Sequence, residues 1–382
     1  MNNWTWMNYE NHLESIMSQL VPVDTNLGPL LPIELCERVI DWIANDWDGL
    51  TLCACSLTCQ AWLPRSRHRL YERIELKTWN ILSRPAEAIT YLPTRLQRLT
   101  ATLRAHRILS GYVRRLTIDP SYPSMESFPD HQERDGISAL CISLFFPRPL
   151  KNLRELHLGW MSLALTHAQF FRALALHKTV TTLSIVRISF AMGSQLARLI
   201  HCFPALVNLR VEGIDITFDD HNTLSPLPKS QHKIPPLSTL RFSGDSRHFE
   251  SLLTLAIPKS IETVHSMYIE CFGSAAVSMA VARCGASLID LDLIIESHNT
   301  ITSSFDTLDF RTNTNLEHLS LKGSHGITIA KLSSLYTILS TISSAALQRL
   351  SIELNFTEDD PKVSSTEVNS RKCLPTSDVH CS

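Results

Sequence analysis

A pattern of three spaced aliphatic residues, L-x-x-L-x-L with aliphatic substitutions, recurs along most of this 382-residue chain. The second position of each copy is held in turn by Leu116, Leu156, Leu183, Leu209, Leu240, Met267, Leu291, Leu319 and Leu350. From Leu156 to Leu350 the mean step is about 28 residues. A fixed step of this length indicates that the chain repeats one structural unit.

The segments between the aliphatic patterns have the other periodicity, because their apolar residues recur at helical spacing. They cover residues 168–176, 196–203, 249–257, 275–284 and 332–342. Alternating strands and helices predict an α/β fold with a parallel sheet. By this unit and step, residues 110–356 resemble the leucine-rich-repeat family, which implies a solenoid with a curved parallel sheet and outer helices. A doubly wound α/β sheet is the structural rival, which the fixed step and the scarcity of Gly, at 12 residues, disfavour.

The repeats depart from that family at one position. Leucine-rich repeats commonly have Asn or Cys three residues after the third aliphatic position, where the side chain satisfies backbone groups of the loop. This chain has Ser121, Met161, Ile188, Ile214, Asp245, Phe272, Glu296, Ser324 and Asn355 there. Only Asn355 fits, so we expect well-formed strands and an irregular curve.

A different pattern precedes the repeats. Residues 31–43 read L-P-I-E-L-C-E-R-V-I-D-W-I, and after a polar break residues 50–62 read L-T-L-C-A-C-S-L-T-C-Q-A-W. Pro32 suits the first turn of a helix, and Leu35, Val39, Ile40 and Ile43 then recur at helical spacing as one apolar stripe. Short amphipathic helices of this size cannot bury all their apolar surface, so we expect them to need a partner.

This segment resembles the F-box over about residues 30–76. The matching positions are Leu31, Pro32, Glu34, Leu35, Val39, Ile40, Leu52, Leu57, Cys59 and Trp62. The resemblance implies that the segment docks onto the Skp adaptor of an SCF (cullin–RING) ubiquitin ligase and that the rest of the chain selects the substrate. The adaptor-binding residues it implies are Leu31, Pro32, Leu35, Ile40, Leu57 and Trp62. The alternative is a helical hairpin that only caps the solenoid.

These features divide the chain into four parts. Residues 1–29 are an N-terminal extension and linker, 30–76 the F-box, 77–356 a leucine-rich-repeat-like substrate-binding domain, and 357–382 a polar tail that we expect to be disordered. Two insertions rich in Pro and polar residues, 119–136 and 217–236, interrupt the repeats. Such loops can serve binding, although tolerated surface insertions look the same.

The charge and composition of the chain limit the classes of partner and the compartment that we expect for it. The net charge of −2 gives no global field for nucleic acid or an anionic membrane surface. No stretch reaches the ~18–20 apolar residues of a membrane-spanning helix, and residues 1–20 do not read as a secretory signal. The ten Cys fit a reducing compartment. We therefore expect a cytoplasmic or nuclear protein.

The sequence offers no constellation for covalent chemistry. It contains no G-x-x-x-x-G-K-[ST], H-E-x-x-H, G-x-S-x-G or C-x-x-C motif. Cys53, Cys55 and Cys59 come closest to a metal cluster, but His68 is the only nearby His, whereas zinc sites offer two spaced ligand pairs. We therefore expect neither a catalytic site nor a metal or other cofactor.

The remaining candidate is a surface of the sheet. In L-x-x-L-x-L the aliphatic side chains point into the core and the residues between them point outward. Arg210, Arg241 and Tyr268 hold equivalent outward positions on consecutive repeats, so they should be neighbours, with Asp290 and Asp292 beside them. Arg and Tyr are favoured at protein interfaces. We therefore predict that Arg210, Arg241, Tyr268 and Asp292 contact a substrate protein, although ordinary solvated sheet residues would show the same pattern.

Together these patterns lead to one main functional hypothesis and two rivals. The resemblances imply a non-enzymatic substrate-recognition subunit of an SCF-type ubiquitin ligase, whose partners are the Skp adaptor, the cullin and a substrate protein. The first rival is a leucine-rich-repeat interaction scaffold without a role in ubiquitin ligation. The second is a hydrolase or transferase whose site lies in the loops.

Overall fold

A computed structural model of the chain describes residues 32–45, 49–77, 85–119, 150–164, 166, 168–218, 235–272, 275–295, 308–323 and 329–354. These residues fall into two compact units. The first comprises residues 32–119 with 150–153, and the second comprises residues 154–354.

The first unit is mostly helical and contains two strands. Its elements in chain order are α1 (Ile33–Asn45), α2 (Gly49–Thr58), α3 (Leu63–Glu72), β1 (Arg73–Lys77), α4 (Pro85–Ala105), α5 (Arg107–Ser110) and β2 (Arg115–Asp119). Strands β1 and β2 pair in parallel, with Ile74 opposite Leu116. Helix α1 begins directly after Pro32, whose carbonyl accepts hydrogen bonds from the amides of Leu35 and Cys36, as the sequence predicted.

A small core holds α1 to α2. Ile40, Leu52 and Cys55 are buried together. Ile43, Ala44, Trp62 and Leu70 are partly buried against them. The three short helices therefore share one apolar centre, to which α1 contributes only one of its faces.

Ion pairs tie α1 to α3. The Asp41 carboxylate accepts hydrogen bonds from the guanidinium groups of both Arg65 and Arg69, the latter at 2.8 Å. Arg69 also donates to Glu72 at 2.6 Å. The hydrogen bonds from Arg65 and Arg69 hold the pKa of Asp41 well below its usual range. Because these side chains are only 23–32% exposed, the pairs are screened less than pairs on an open surface.

The second unit alternates strands with helices, and its parallel strands form one sheet. Its main elements are β3 (Glu155–Ser162), α6 (Ala168–Leu174), β4 (Thr182–Met192), α7 (Gly193–His201), β5 (Asn208–Glu212), β6 (Asp215–Phe218), β7 (Thr239–Asp245), α8 (Ser246–Ser251), β8 (Ser266–Phe272), α9 (Ala275–Cys284), β9 (Asp290–Ile295), β10 (His318–Gly323), α10 (Ile329–Ser340) and β11 (Arg349–Leu354). A π-helical turn, Leu252–Ala256, follows α8, and 3₁₀ turns lie at Ser260–Thr263 and Gly285–Ser287.

The strands of this unit are ordered as they occur in the chain. The order is β3-β4-β5-β7-β8-β9-β10-β11, and β6 pairs with the second half of β4. A doubly wound sheet would reverse its strand order at a switch point, and the described strands show no reversal. The expected α/β class is therefore confirmed, and the doubly wound alternative does not hold.

The aliphatic pattern forms the core of the sheet, as predicted. Leu156, Leu183, Leu209, Leu240 and Met267 at the second position are no more than 1% exposed. The last copy of the pattern differs. Its Leu347 and Leu350 are only partly buried, and Ile352 is 38% exposed. Within the described residues, the sheet core thus ends at an incompletely covered strand.

Several repeats have an apolar residue three positions after the third aliphatic residue, where leucine-rich repeats commonly have Asn or Cys. Met161, Ile188 and Ile214 are buried there, at 5% exposure or less, so apolar packing replaces a polar side chain. Elsewhere, buried Asn313 donates to the carbonyls of Val281 and Gly285 at 3.0 and 2.9 Å. This Asn, six residues before Leu319, was not predicted to be structural.

Truncation of a central strand leucine should cost much more stability than the same change in the last strand. We expect Leu209→Ala to lower the free energy of unfolding by about 2–5 kcal/mol, because it leaves a cavity in a closed core. Leu350→Ala, at the same motif position, should cost less than half as much because Leu350 is only partly buried. Urea unfolding followed by far-UV circular dichroism measures both, and equal losses would contradict the burial pattern.

Loss of the Asp41 charge should weaken the first unit in a pH-dependent way. Asp41→Asn should lower its free energy of unfolding at pH 7 by on the order of 1–3 kcal/mol, because both arginines lose a charged acceptor. The pKa of Asp41 is lower in the folded chain than the ~3.9 of an unfolded Asp. The ion pairs therefore contribute fully above that pH, and their contribution falls as the pH drops below it.

Tryptophan fluorescence during urea unfolding suits this measurement, since six of the seven Trp precede residue 80. Glu34→Gln is the matched control, because Glu34 is an exposed carboxylate of the same helix. The difference between the parent chain and Asp41→Asn should shrink between pH 7 and pH 3. A difference that stays constant or grows on acidification would show that the Asp41 pairs do not stabilise this unit.

Candidate functional site

Helix α1 has a second apolar face that the first unit leaves uncovered. Leu35, Val39 and Trp42 are 45%, 47% and 67% exposed. Their spacing of four and three residues places them on one side of the helix. Ile33 of α1 is 37% exposed, and Leu50 of α2 is 40% exposed. We call Leu35, Val39 and Trp42 the α1 face.

The apolar residues of α1 that the sequence analysis placed in one stripe therefore lie on two different sides of the helix. Ile40 and Cys36 are buried on the inner side, whereas Leu35 and Val39 of the same expected stripe lie on the outer side. A helix that is apolar on two sides has surface for a second partner. Exposed aromatic and aliphatic side chains in a contiguous group are typical of protein interfaces.

The other residues expected to bind the adaptor occupy different environments. Pro32 is exposed, and Leu57 and Trp62 are partly buried, Trp62 against the small core. Ile40 is fully buried, so its side chain supports the helix packing and is not available for a direct contact. Leu31 lies outside the described residues.

A second group of candidates lies on the outward face of the sheet in the second unit. The strand register aligns Arg210 with Arg241, Arg241 with Tyr268, and Tyr268 with Asp292. Neighbouring strands are ~4.8 Å apart. The predicted adjacency of Arg210, Arg241 and Tyr268 is therefore confirmed, and we call these three residues with Asp292 the central row.

The cations of the central row are already paired within the sheet. Arg210 Nε and Nη2 donate to the two carboxylate oxygens of Glu212 at 2.6 and 2.8 Å. This bidentate bond raises the pKa of Arg210. Arg241 Nε lies 3.4 Å from the same carboxylate, and its guanidinium carbon lies 4.2 Å from the centre of the Tyr268 ring. One carboxylate and one aromatic ring thus fix both arginines.

The acidic residues beside the row are less completely paired than its arginines. The Tyr268 hydroxyl donates to Glu270 at 3.2 Å, and burial together with the Glu270 charge raises the pKa of Tyr268. Asp290 contacts His318 Nδ1 at 2.5 Å. Oδ1 of Asp292 is shielded from solvent and has no hydrogen-bond partner. Tyr268 therefore separates a basic side, where two arginines share one carboxylate, from an acidic side with an unsatisfied carboxylate oxygen.

One feature at the end of two strands was not predicted. Trp160 and Arg187 both have positive φ angles, 49° and 51°, and the Arg187 guanidinium lies 4.2 Å from the centre of the Trp160 ring. Gly213 and Gly244 have positive φ at the equivalent position of later repeats. Glycine occurs at this position in three repeats, as Gly213, Gly244 and Gly323, and it was the one sequence signal for a left-handed residue there.

Two buried cysteines of the second unit have raised pKa values. Burial raises the pKa of Cys202 and of Cys284 to about 12. Their thiols donate to the carbonyls of Phe171 and Ile261 at 3.2 and 3.3 Å, so both act as buried structural groups. Within the same residues, no three His, Cys, Asp or Glu side chains converge as metal ligands, and no helix has the length and hydropathy needed to cross a membrane.

Comparison with known proteins gives little further information. No family model matches the chain, and no curated protein matches it. Among solved structures, the chain is similar to one described as the crystal structure of the Rad7 and Elc1 complex in yeast. The identity is 12%, the match covers 93% of this chain and 83% of the other, and the TM-score is 0.33. A TM-score this low does not establish a shared fold.

Proposed function

We propose that this chain is the substrate-recognition subunit of an SCF-type ubiquitin ligase. In this proposal residues 30–76 are an F-box that binds the Skp adaptor, and residues 77–356 form a leucine-rich-repeat solenoid that holds a substrate protein. The chain itself catalyses no reaction and needs no cofactor. Its place of action is the cytoplasm or the nucleus, where the ligase operates.

The uncovered α1 face carries this proposal. An isolated helix hairpin would gain stability by turning Leu35, Val39 and Trp42 inward, yet they are 45–67% exposed. The inner side of α1 is already engaged with Leu52 and Cys55. An adaptor that covers the α1 face would bury this apolar surface, and each fully buried side chain of this kind is worth about 1.5–3 kcal/mol.

The central row is proposed as the surface that holds the substrate. Arg210 and Arg241 are about half-exposed, at 46% and 45%, and Tyr268 presents a partly buried ring between them and Asp292. Arginine and tyrosine held rigidly lose little conformational freedom on binding. The contribution of the chain to the reaction would be proximity, because a held substrate meets the ubiquitin-charged enzyme at a high effective concentration.

Adaptor binding is the experiment that tests the first half of the proposal. The full chain should co-purify with the Skp adaptor, and Leu35→Ala combined with Val39→Ala should weaken that binding at least tenfold, since both side chains are exposed in the free chain. Fluorescence anisotropy with a labelled adaptor measures the affinity.

Two controls separate docking from folding. Ile108→Ala removes an aliphatic side chain that is 73% exposed on α5, and it should leave adaptor binding unchanged. Ile40→Ala should lower the stability of the helices, because Ile40 is fully buried. If the parent chain is folded and does not bind the adaptor, the interaction scaffold becomes the better account.

Substrate capture tests the second half. Alanine at Arg210, Arg241 and Tyr268 should abolish the capture of proteins whose abundance rises when the chain is depleted from cells, while adaptor binding stays at the parent level. Quantitative mass spectrometry of captured proteins gives the readout. Arg311→Ala, an exposed arginine outside the central row, is the matched control, and unchanged capture by the triple variant would remove the central row from the proposal.

A further inference from the structure

On the described outward face of strands β5 to β9, the arginines have ion-pair partners, whereas some of the acidic side chains do not. On β5 and β7, Arg210 and Arg241 share Glu212, and Arg241 also lies over the Tyr268 ring. Both cations of this side therefore have partners in the free chain. An acidic partner group would have to compete with Glu212 for either arginine.

The β8 and β9 side has the opposite character. It presents Glu270, Asp290 and Asp292, and within the described residues neither Glu270 nor Asp292 is in an ion pair. Glu270 accepts one neutral hydrogen bond, from Tyr268. Asp290 contacts His318. The unbalanced charge of this face is therefore negative and lies on the two strands beside Tyr268.

Asp292 is the residue most in need of a partner. Its Oδ1 atom has neither solvent contact nor a hydrogen bond, and an unsatisfied carboxylate oxygen is expensive in a partly desolvated place. The residue as a whole is only partly buried, so part of its side chain is open to a group from outside. Its strand neighbours Tyr268 and Ser320 offer a ring and a hydroxyl but no cation.

We propose that this part of the sheet face binds a segment of the substrate protein that carries a Lys or Arg side chain, with the cation held by Asp292 and Glu270 beside the Tyr268 ring. This inference rests on the proposed function of the face and specifies the chemistry of its substrate. The cation neutralises the two carboxylates, and its aliphatic stem packs on the tyrosine ring. Arg210 and Arg241 share the single carboxylate of Glu212, so their side keeps a positive charge that disfavours the cation there and favours the Asp292 side of Tyr268.

Binding of short charged peptides to the full chain tests this proposal. The probe is a fluorescein-labelled ten-residue peptide of alternating Ser and Arg, and the control peptide has Glu in place of Arg. We expect the arginine peptide to bind, and Asp292→Asn with Glu270→Gln to weaken its binding at least tenfold. Glu353→Gln is the matched control, because Glu353 is an exposed carboxylate on β11 of the same sheet.

Thermal unfolding without any partner gives an independent readout. A carboxylate kept unsatisfied for binding should destabilise the free chain, so Asp292→Asn should raise the melting temperature by about 2–4 °C. A lowered melting temperature would mean that Asp292 stabilises the fold, and it would overturn the proposal. A rise in the melting temperature of the parent chain with calcium or magnesium, lost in the double variant, would assign the carboxylates to a metal ion instead.

The peptide result is distinguishable from the result for the ligase role. Equal binding of the arginine peptide to the parent chain and the double variant, or preferred binding of the glutamate peptide, overturns the basic-segment proposal. Retained adaptor binding in the same samples would then leave the ligase role standing. Binding of the arginine peptide without adaptor binding would support the basic-segment proposal and contradict the ligase role.

Discussion

Burial of the same aliphatic positions on successive strands is the constraint on which the second unit depends. Leu156, Leu183 and Leu209 lie side by side on three consecutive strands, and all are almost fully buried. Because side chains alternate along a strand, fixing the inward residues also fixes the outward ones. The alignment of the central row therefore follows from the packing of the core. No further interaction is needed to align Arg210, Arg241, Tyr268 and Asp292.

The first unit uses a different principle. Helix α1 is held on one side by apolar packing around Ile40 and by the ion pairs of Asp41 with Arg65 and Arg69. This attachment leaves Leu35, Val39 and Trp42 uncovered. A helix anchored in this way already holds its apolar face in place in the free chain, and a preformed face would lower the entropic cost of the proposed adaptor binding.

The sequence predicted the sheet better than it predicted the helices. Strand periodicity and the fixed step were sufficient to identify the buried triplets and the neighbours Arg210, Arg241 and Tyr268, because parallel register follows from stacking equivalent positions. The pairing of both arginines with Glu212 depends on side-chain conformations that the pattern does not encode. In α1, apolar residues cover so much of the circumference that periodicity alone could not tell which face α2 and α3 would cover. The left-handed residues Trp160 and Arg187 also escaped prediction, since the only signal for that position was glycine in other repeats, at Gly213, Gly244 and Gly323.

Docking of the α1 face onto an adaptor is tested by calorimetric titration of the purified full chain with a purified Skp adaptor at several temperatures. We expect a one-to-one complex whose binding enthalpy becomes more negative as the temperature rises, because burial of the α1 face removes apolar surface from water and makes the heat-capacity change negative. A folded chain that shows no complex at micromolar concentrations of both proteins, or a complex without a negative heat-capacity change, would contradict docking through Leu35, Val39 and Trp42.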